Sequence, residues 1–244
     1  MLSLSPSGGY NLPPLSRLIL WRDPIARRGI EAMAADEALL EWGDQSVLRA
    51  YKWGVPTITY GYFDLESTAR DLFQSDHLQF VRRWTGGGIV DHRNDIPFTL
   101  ALHRHDPERA TSASLYRWIH GALTIVLREC GVPAILLDQD APNGGRACFA
   151  SPVASDIILS DGTKLAGGGQ RRARNGVLHQ GSIQNCQLPE GWDEALARRL
   201  CDELIIIIDD EEPFEGFQQR VEELLSSKYD LPSWAAGVRR GKHA

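Results

Sequence analysis

The chain has 244 residues, 43% of them hydrophobic and 24% charged, with a formal net charge of -6. This is ordinary globular composition with enough apolar side chains for a sizeable core, and the negative balance argues against general nucleic-acid binding through a basic surface. The densest apolar run, "LIIII" at 204–208, is too short to span a membrane, and the four cysteines (130, 148, 186 and 201) contain no C-x-x-C pair that would suggest structural zinc.

Residues 1–14 read as a loose leader broken by Pro, Gly and Ser. They lack the basic start and apolar run of a secretory signal, so a cytoplasmic protein with reduced thiols is expected. Residues 15–244 read as a single domain without internal repeats. "SRLILW" is a strand. Residues 30–42, free of Gly and Pro and rich in Ala, Glu and Leu, predict a helix capped by Gly43. "SVLRAYKW" and "TITYGYF" are β-rich runs divided by Gly54 and Pro56.

"LQFVRRW" is a strand feeding a run of glycines, and "PFTLALH" resumes as a strand beyond it. "HRH" at 103–105 has metal-like chemistry but no third ligand nearby, and reads as an exposed loop. Apolar positions at Leu115, Trp118, Ile119, Ala122, Leu123, Val126 and Cys130 form a helical stripe over 112–130, closed by Gly131. "SDIILSDGTKLAGGGQ" predicts a hairpin turning at Asp161–Gly162, and "GVLHQGSIQN" a further strand. In "LIIIIDDEEP" the isoleucines favour strand while the preceding sequence favours helix. "FQQRVEELLSSKY" predicts an amphipathic helix. Helices mixed irregularly with many strands indicate an α+β, mixed α/β fold.

Four stretches carry chemistry. Arg82-Arg83-Trp84-Thr85-Gly86-Gly87-Gly88 is either a turn between strands or a loop whose bare main chain lies against a ligand, with an arginine meeting an anion. Its spacing matches neither the P-loop nor G-x-G-x-x-G. Lys164, after Asp161-Gly162 and before a second glycine triplet (167–169), is either surface or a cation able to steady developing negative charge. Cys148 is either a packed thiol or a nucleophile that takes up an acyl group. His179 and His92 are each a satisfied structural imidazole, a general base or a pocket residue.

Together these stretches resemble the biotin/lipoate A/B protein ligase family, in its lipoyl branch. "MAADEAL" (33–39) looks like its first helix, "YKWGVPTITYGYF" (51–63) its next strands, and "RRWTGGGIVDH" (82–92) its Arg-Arg-x-Thr-Gly-Gly-Gly-x-Val-x-His signature. "SDI…DGTKLAGGGQRR…GVLHQGSI" is similar to its lysine segment and "KYDLPSW" (228–234) to a lipoyl-branch tail motif, so the likeness covers about residues 30–235. It implies a mixed β-sheet flanked by helices, related to biotin ligases and class II synthetases. It also implies transfer of an octanoyl or lipoyl group to one lysine of a lipoyl domain, such as glycine-cleavage H protein or a 2-oxoacid dehydrogenase E2 subunit.

The catalytic residues implied are Cys148 and Lys164. The implied substrate-binding set is Arg82, Arg83, Thr85, Gly86, Gly87, Gly88, His92, Asp156, Gly167, Gly168, Gln170 and His179, with no metal ligand. Two branches compete. Octanoyltransferases take octanoate from acyl carrier protein through a cysteine thioester without a cofactor, whereas ligases activate free lipoate with ATP and Mg. Cys148, sixteen residues before Lys164, favours the transferase; Ser155-Asp156-Ile157 is closer to the ligase pattern. A biotin ligase fits the Arg-Arg-x-Thr-Gly-Gly-Gly form and the tail less well, and a non-catalytic acyl-binding module is the alternative from another class.

Overall fold

The first strand already shows how the molecule buries its sheet. In β1 (Leu15–Arg22) Leu18 and Leu20 enter one hydrophobic core while Ile19 and Trp21 enter another, so the strand is covered on both faces. The structure, a computed structural model, describes residues 12–42, 44–105, 110–140, 152–207 and 211–237. Helix α1 (Gly29–Trp42) follows, with every residue from Ala32 to Leu40 buried. Its alanines let it lie close to the sheet. The expected cap at Gly43 lies outside the described residues.

The chain continues through β2 (Val47–Ala50), β3 (Thr57–Tyr60), α2 (Glu66–Leu72), β4 (Gln79–Arg82), β5 (Val90–Asp91) and β6 (Ile96–His103). Helix α3 (Ser112–Glu129) starts on Thr111, whose hydroxyl accepts the Ser114 N–H at 3.1 Å, and stops before Gly131. Then come β7 (Ile135–Leu136), β8 (Ile157–Ile158), β9 (Lys164–Ala173), β10 (Gly176–Ile183), α4 (Trp192–Leu200) and β11 (Cys201–Ile207). Helix α5 (Phe217–Leu224) runs into a π-helical turn at Leu225–Tyr229, followed by α6 (Pro232–Ala235).

The main sheet has the order β11-β1-β2-β6-β10-β9-β8-β7, parallel from β11 to β2 and antiparallel beyond. A small second sheet, β4-β3-β5, carries the first glycine segment. Helices α3 and α4 pack on one face of the main sheet, and α1 and α5 on the other. This is the expected mixed sheet flanked by helices. Among the described residues no helix is long and apolar enough to cross a membrane.

The ambiguous isoleucine run is strand. Helix α4 ends at Leu200 and β11 starts at Cys201, so the helical and β signals belong to two abutting elements. The Asp161–Gly162 turn joins β8 to β9 as expected, with Gly162 at φ +88°. His103 ends β6 and His105 is exposed beyond it.

A chain of buried charge runs between α1 and β2. The Arg49 guanidinium donates to Asp23 at 2.7 Å and to Asp36 at 2.5 Å, with all three side chains fully buried, and Arg27 adds a second cation to Asp23 at 2.7 Å. The Tyr51 ring lies 4.0 Å from the Arg49 guanidinium carbon. Removing one member of such a set leaves uncompensated charge in the interior. Arg49→Met is therefore expected to lower stability by about 3–5 kcal/mol in urea unfolding. A change below about 1 kcal/mol, the size expected of an exposed pair, would contradict this.

Candidate active site

The two glycine segments, far apart in sequence, meet face to face. In β9 a Cβ on Gly169 would lie 2.4 Å from the Gly86 carbonyl oxygen and 2.8 Å from the Thr85 hydroxyl. Only glycine allows that approach. Gly87 in the loop has φ +101°, again a glycine conformation. The pairing of β9 with β10 puts Gln180 opposite Gly169 and Ser182 opposite Gly167, so these four share the face toward the loop.

That face holds a narrow cavity of about 30 Å³ that opens to the surface. Its floor is Gly167–Gly169 and its walls include Met33, Tyr51, Trp53 and Val90. Arg83 and His92 contribute the charged and polar lining. Arg83 donates to the Thr59 hydroxyl at 2.5 Å and to the Gly88 carbonyl at 2.7 Å, so it braces the loop it precedes. His92 lies between Asp95 (Nδ1 to carboxylate, 2.5 Å) and the Thr59 hydroxyl (Nε2, 2.7 Å), its ring tilted against Trp53 with centroids 4.5 Å apart. Asp95 also accepts from the Trp53 indole at 3.0 Å and the Ser182 hydroxyl at 2.6 Å.

Lys164 begins β9. Its Nζ is 2.6 Å from Asp156, and both residues are buried. The pair packs against the cavity floor: a Cβ on Gly167 would sit 2.7 Å from Nζ and 2.8 Å from the Asp156 carboxylate. Asp156 is fixed by the Val153 N–H at 2.8 Å and follows Ser155, whose φ is +72°.

The remaining expected site residues are distributed unevenly. Thr85 donates to Gln180 at 2.7 Å and ties the loop to the cavity wall. Arg82 does not enter the cavity. It donates to the main-chain carbonyls of Tyr62 at 2.5 Å and Trp234 at 3.0 Å and stacks on both rings, so it fastens the C-terminal tail motif to the glycine segment. Its burial lowers its pKa.

Gln170 and His179 also lie away from the cavity, beneath the floor. A Cβ on Gly168 would sit 2.7 Å from the His179 ring. The His179 Nδ1 is 3.1 Å from the Gln170 amide and its Nε2 is 3.3 Å from His120 Nε2, both rings being fully buried. Cys148 lies outside the described residues.

Several residues of this site were given no role by sequence reasoning. Gln180 donates to Asp36 at 2.7 Å and so links loop, cavity wall and buried charge chain. Met33 and Asp36 lie inside the "MAADEAL" match and Gln180 inside "LHQGSI", so the signal was motif membership. Trp53 likewise lies inside "YKWGVPTITYGYF", whereas Asp95 and His120 carry no such signal beyond their neighbours.

The fold is thus a mixed sheet in which two glycine segments face each other beside a narrow cavity, with the buried Lys164–Asp156 pair packed against Gly167. The chain belongs to the lipoyl protein ligase A/B catalytic domain family, whose model matches residues 29–196. An octanoyltransferase LipM of Bacillus cereus is 32% identical over 168 residues, covering 62% of this chain and 59% of that protein. The match therefore spans about three-fifths of such a relative's length. In fold, the chain is similar to a putative lipoate protein ligase from T. acidophilum with bound lipoic acid (TM-score 0.69, 20% identity, 92% of this chain and 100% of that one). A lipoate-protein ligase A bound with ATP is also similar (TM-score 0.65, 19% identity, 92% and 100%).

The histidine pair beneath the floor yields a pH prediction. Burial pushes His120 below the ordinary imidazole value of 6.5, and burial together with neighbouring His120 pushes His179 well below it. As pH falls the unfolded chain therefore takes up protons first. The pair's contribution is complete above about pH 6.5 and is lost as pH drops toward the folded values. The melting temperature should fall between pH 7 and pH 5, and His179→Gln should flatten that slope in thermal unfolding. An unchanged slope would rule the pair out as its source.

Proposed function

We propose that this chain is a protein octanoyltransferase that moves an octanoyl group from acyl carrier protein to a specific lysine of a lipoyl domain. The observation that carries the reading is the Lys164–Asp156 pair at the glycine floor of a narrow cavity, in a chain whose curated relatives are named octanoyltransferases. In this reading a slim acyl chain lies against the bare main chain of Gly167–Gly169, with Arg83 holding the loop above it.

In this reading the Cys148 thiolate attacks the thioester carbonyl of the acyl carrier. A C–S bond forms, the carrier thiolate leaves and takes a proton, and the enzyme holds a thioester. The Lys164 ammonium, paired with Asp156, faces the oxyanion of each tetrahedral intermediate. The neutral amine of the acceptor lysine then attacks the enzyme thioester, forms the amide and releases Cys148. The barrier falls mainly through positioning of the acyl carbonyl. Lipoyl domains of glycine-cleavage H protein or a 2-oxoacid dehydrogenase E2 subunit are the proposed acceptors.

The second reading, an ATP-dependent lipoate-protein ligase, is favoured by Ser155-Asp156-Ile157 and by the ligase names of the structural neighbours. ATP with Mg would then supply activation of the free acid, and an ammonium such as Lys164 suits the acyl-phosphate oxygens.

Intact-mass spectrometry of an apo lipoyl domain separates the two readings. With octanoyl-acyl carrier protein and no ATP, the domain should gain one octanoyl group and the enzyme a transient acyl adduct that Cys148→Ala abolishes. Lys164→Ala should slow transfer by about a hundredfold or more. Modification only with free octanoate or lipoate, ATP and magnesium would replace the transferase reading with the ligase.

A further inference from the structure

Behind the cavity floor, on the opposite face of the sheet, His120 of α3 makes a contact that nothing so far has explained. Its Nδ1 lies 2.5 Å from the Ser155 carbonyl oxygen. A carbonyl only accepts, so Nδ1 carries the proton. In the neutral ring Nε2 is then an acceptor, and the His179 Nε2–H must donate to it across 3.3 Å. His179 Nδ1 in turn accepts from the Gln170 amide at 3.1 Å. One arrangement of protons on the two neutral rings gives every imidazole nitrogen of this line a partner, while the Gln170 Oε1 at its β9 end is buried without one.

The receiving end of that line is an unusual piece of backbone. Ser155 has a left-handed φ of +72° without being glycine, which is costly unless its surroundings enforce it. Its N–H donates to the Leu137 carbonyl at 2.9 Å, and its own carbonyl takes the His120 proton. The next residue is Asp156, which holds Lys164 Nζ at 2.6 Å. Rotation of the Ser155–Asp156 peptide would swing the carboxylate away from the ammonium.

We propose that His120 is a positioning residue for Lys164: its Nδ1–H locks the left-handed Ser155 turn that aims Asp156 at the lysine. The proposal rests on the reading that Lys164 assists acyl transfer. It adds a group on the far side of the sheet that touches neither substrate nor reacting atoms.

Two substitutions divide the two ends of His120. The amide nitrogen of His120→Asn lies near the place of Nδ1 and keeps the donor to Ser155. The longer His120→Gln presents its amide near Nε2, keeping a partner for His179 and leaving the Ser155 carbonyl alone. Both are compared with wild type by octanoyl transfer kinetics and by trace acetylation with acetic anhydride, read by mass spectrometry. The chain has four lysines, 52, 164, 228 and 242, and exposed Lys52 serves as the internal reference.

His120→Gln should lose about tenfold to a hundredfold in kcat with KM little changed. Its Lys164 should also become several-fold more reactive relative to Lys52. His120→Asn should stay near wild type on both. Equal Lys164 protection in His120→Gln and wild type overturns the proposal, and so does equal damage from the two variants, which would mark His120 as packing. If wild type transfers no octanoyl group yet Lys164 is unmasked in His120→Gln alone, the positioning stands and the transfer reading falls.

Discussion

The contact between Gly169 and the Gly86 carbonyl is the constraint on which the site depends. A methyl group at residue 169 would occupy space 2.4 Å from that oxygen. Because the position is bare, the small sheet can lay its loop directly on β9, and the space left beside the contact is the slim cavity. The loop's position is thus set by main chain, while its fixation is left to side chains that reach it from elsewhere.

Those side chains come in two lines. One runs from Thr85 to Gln180, Asp36, Arg49 and Asp23, passing through the sheet and α1. The other runs from the Gly88 carbonyl through Arg83 and Thr59 to His92 and Asp95. Each line is largely buried, where a hydrogen bond is strong and a missing partner is expensive. Burial raises the Asp36 pKa, and the neighbouring Arg49 opposes that shift. Such lines add little net stability compared with an apolar core, but they admit few alternative arrangements of the loop.

Most strands, the helices α1, α3 and α5 and the two glycine segments were legible because each rests on a local signal of composition, period, turn or glycine run, whereas the short helices α2 and α6 and the division into two sheets were not. Where β11 was ambiguous, the difficulty was local too, since Leu200 and Cys201 belong to different elements with no linker between them. The site was legible only in part. Lys164, Arg83 and His92 fall where the motifs suggested, around the glycine floor. Arg82 looked equivalent to Arg83 but points to the carbonyls of Tyr62 and Trp234, because successive residues of a strand face opposite ways. His179 was displaced for the same reason, one residue from Gln180 and on the other face. His120 sits on a helix among apolar positions, and only the three-dimensional pairing with Ser155 distinguishes it from a packed core histidine.

This division of labour explains why a lysine is buried in an ion pair at all. A solvated ammonium near the cavity would be mobile and screened, and would have to be ordered at the moment of reaction. Held at 2.6 Å from Asp156, it is already ordered and already desolvated. The cost of burying the two charges is met at folding, by the pair itself and by the Val153 amide. The pair packs directly against Gly167, where a Cβ would lie 2.7 Å from Nζ. On the proposed reading of acyl transfer, an ammonium ordered in this way would favour a state in which negative charge grows on a ligand oxygen over one in which that oxygen is neutral.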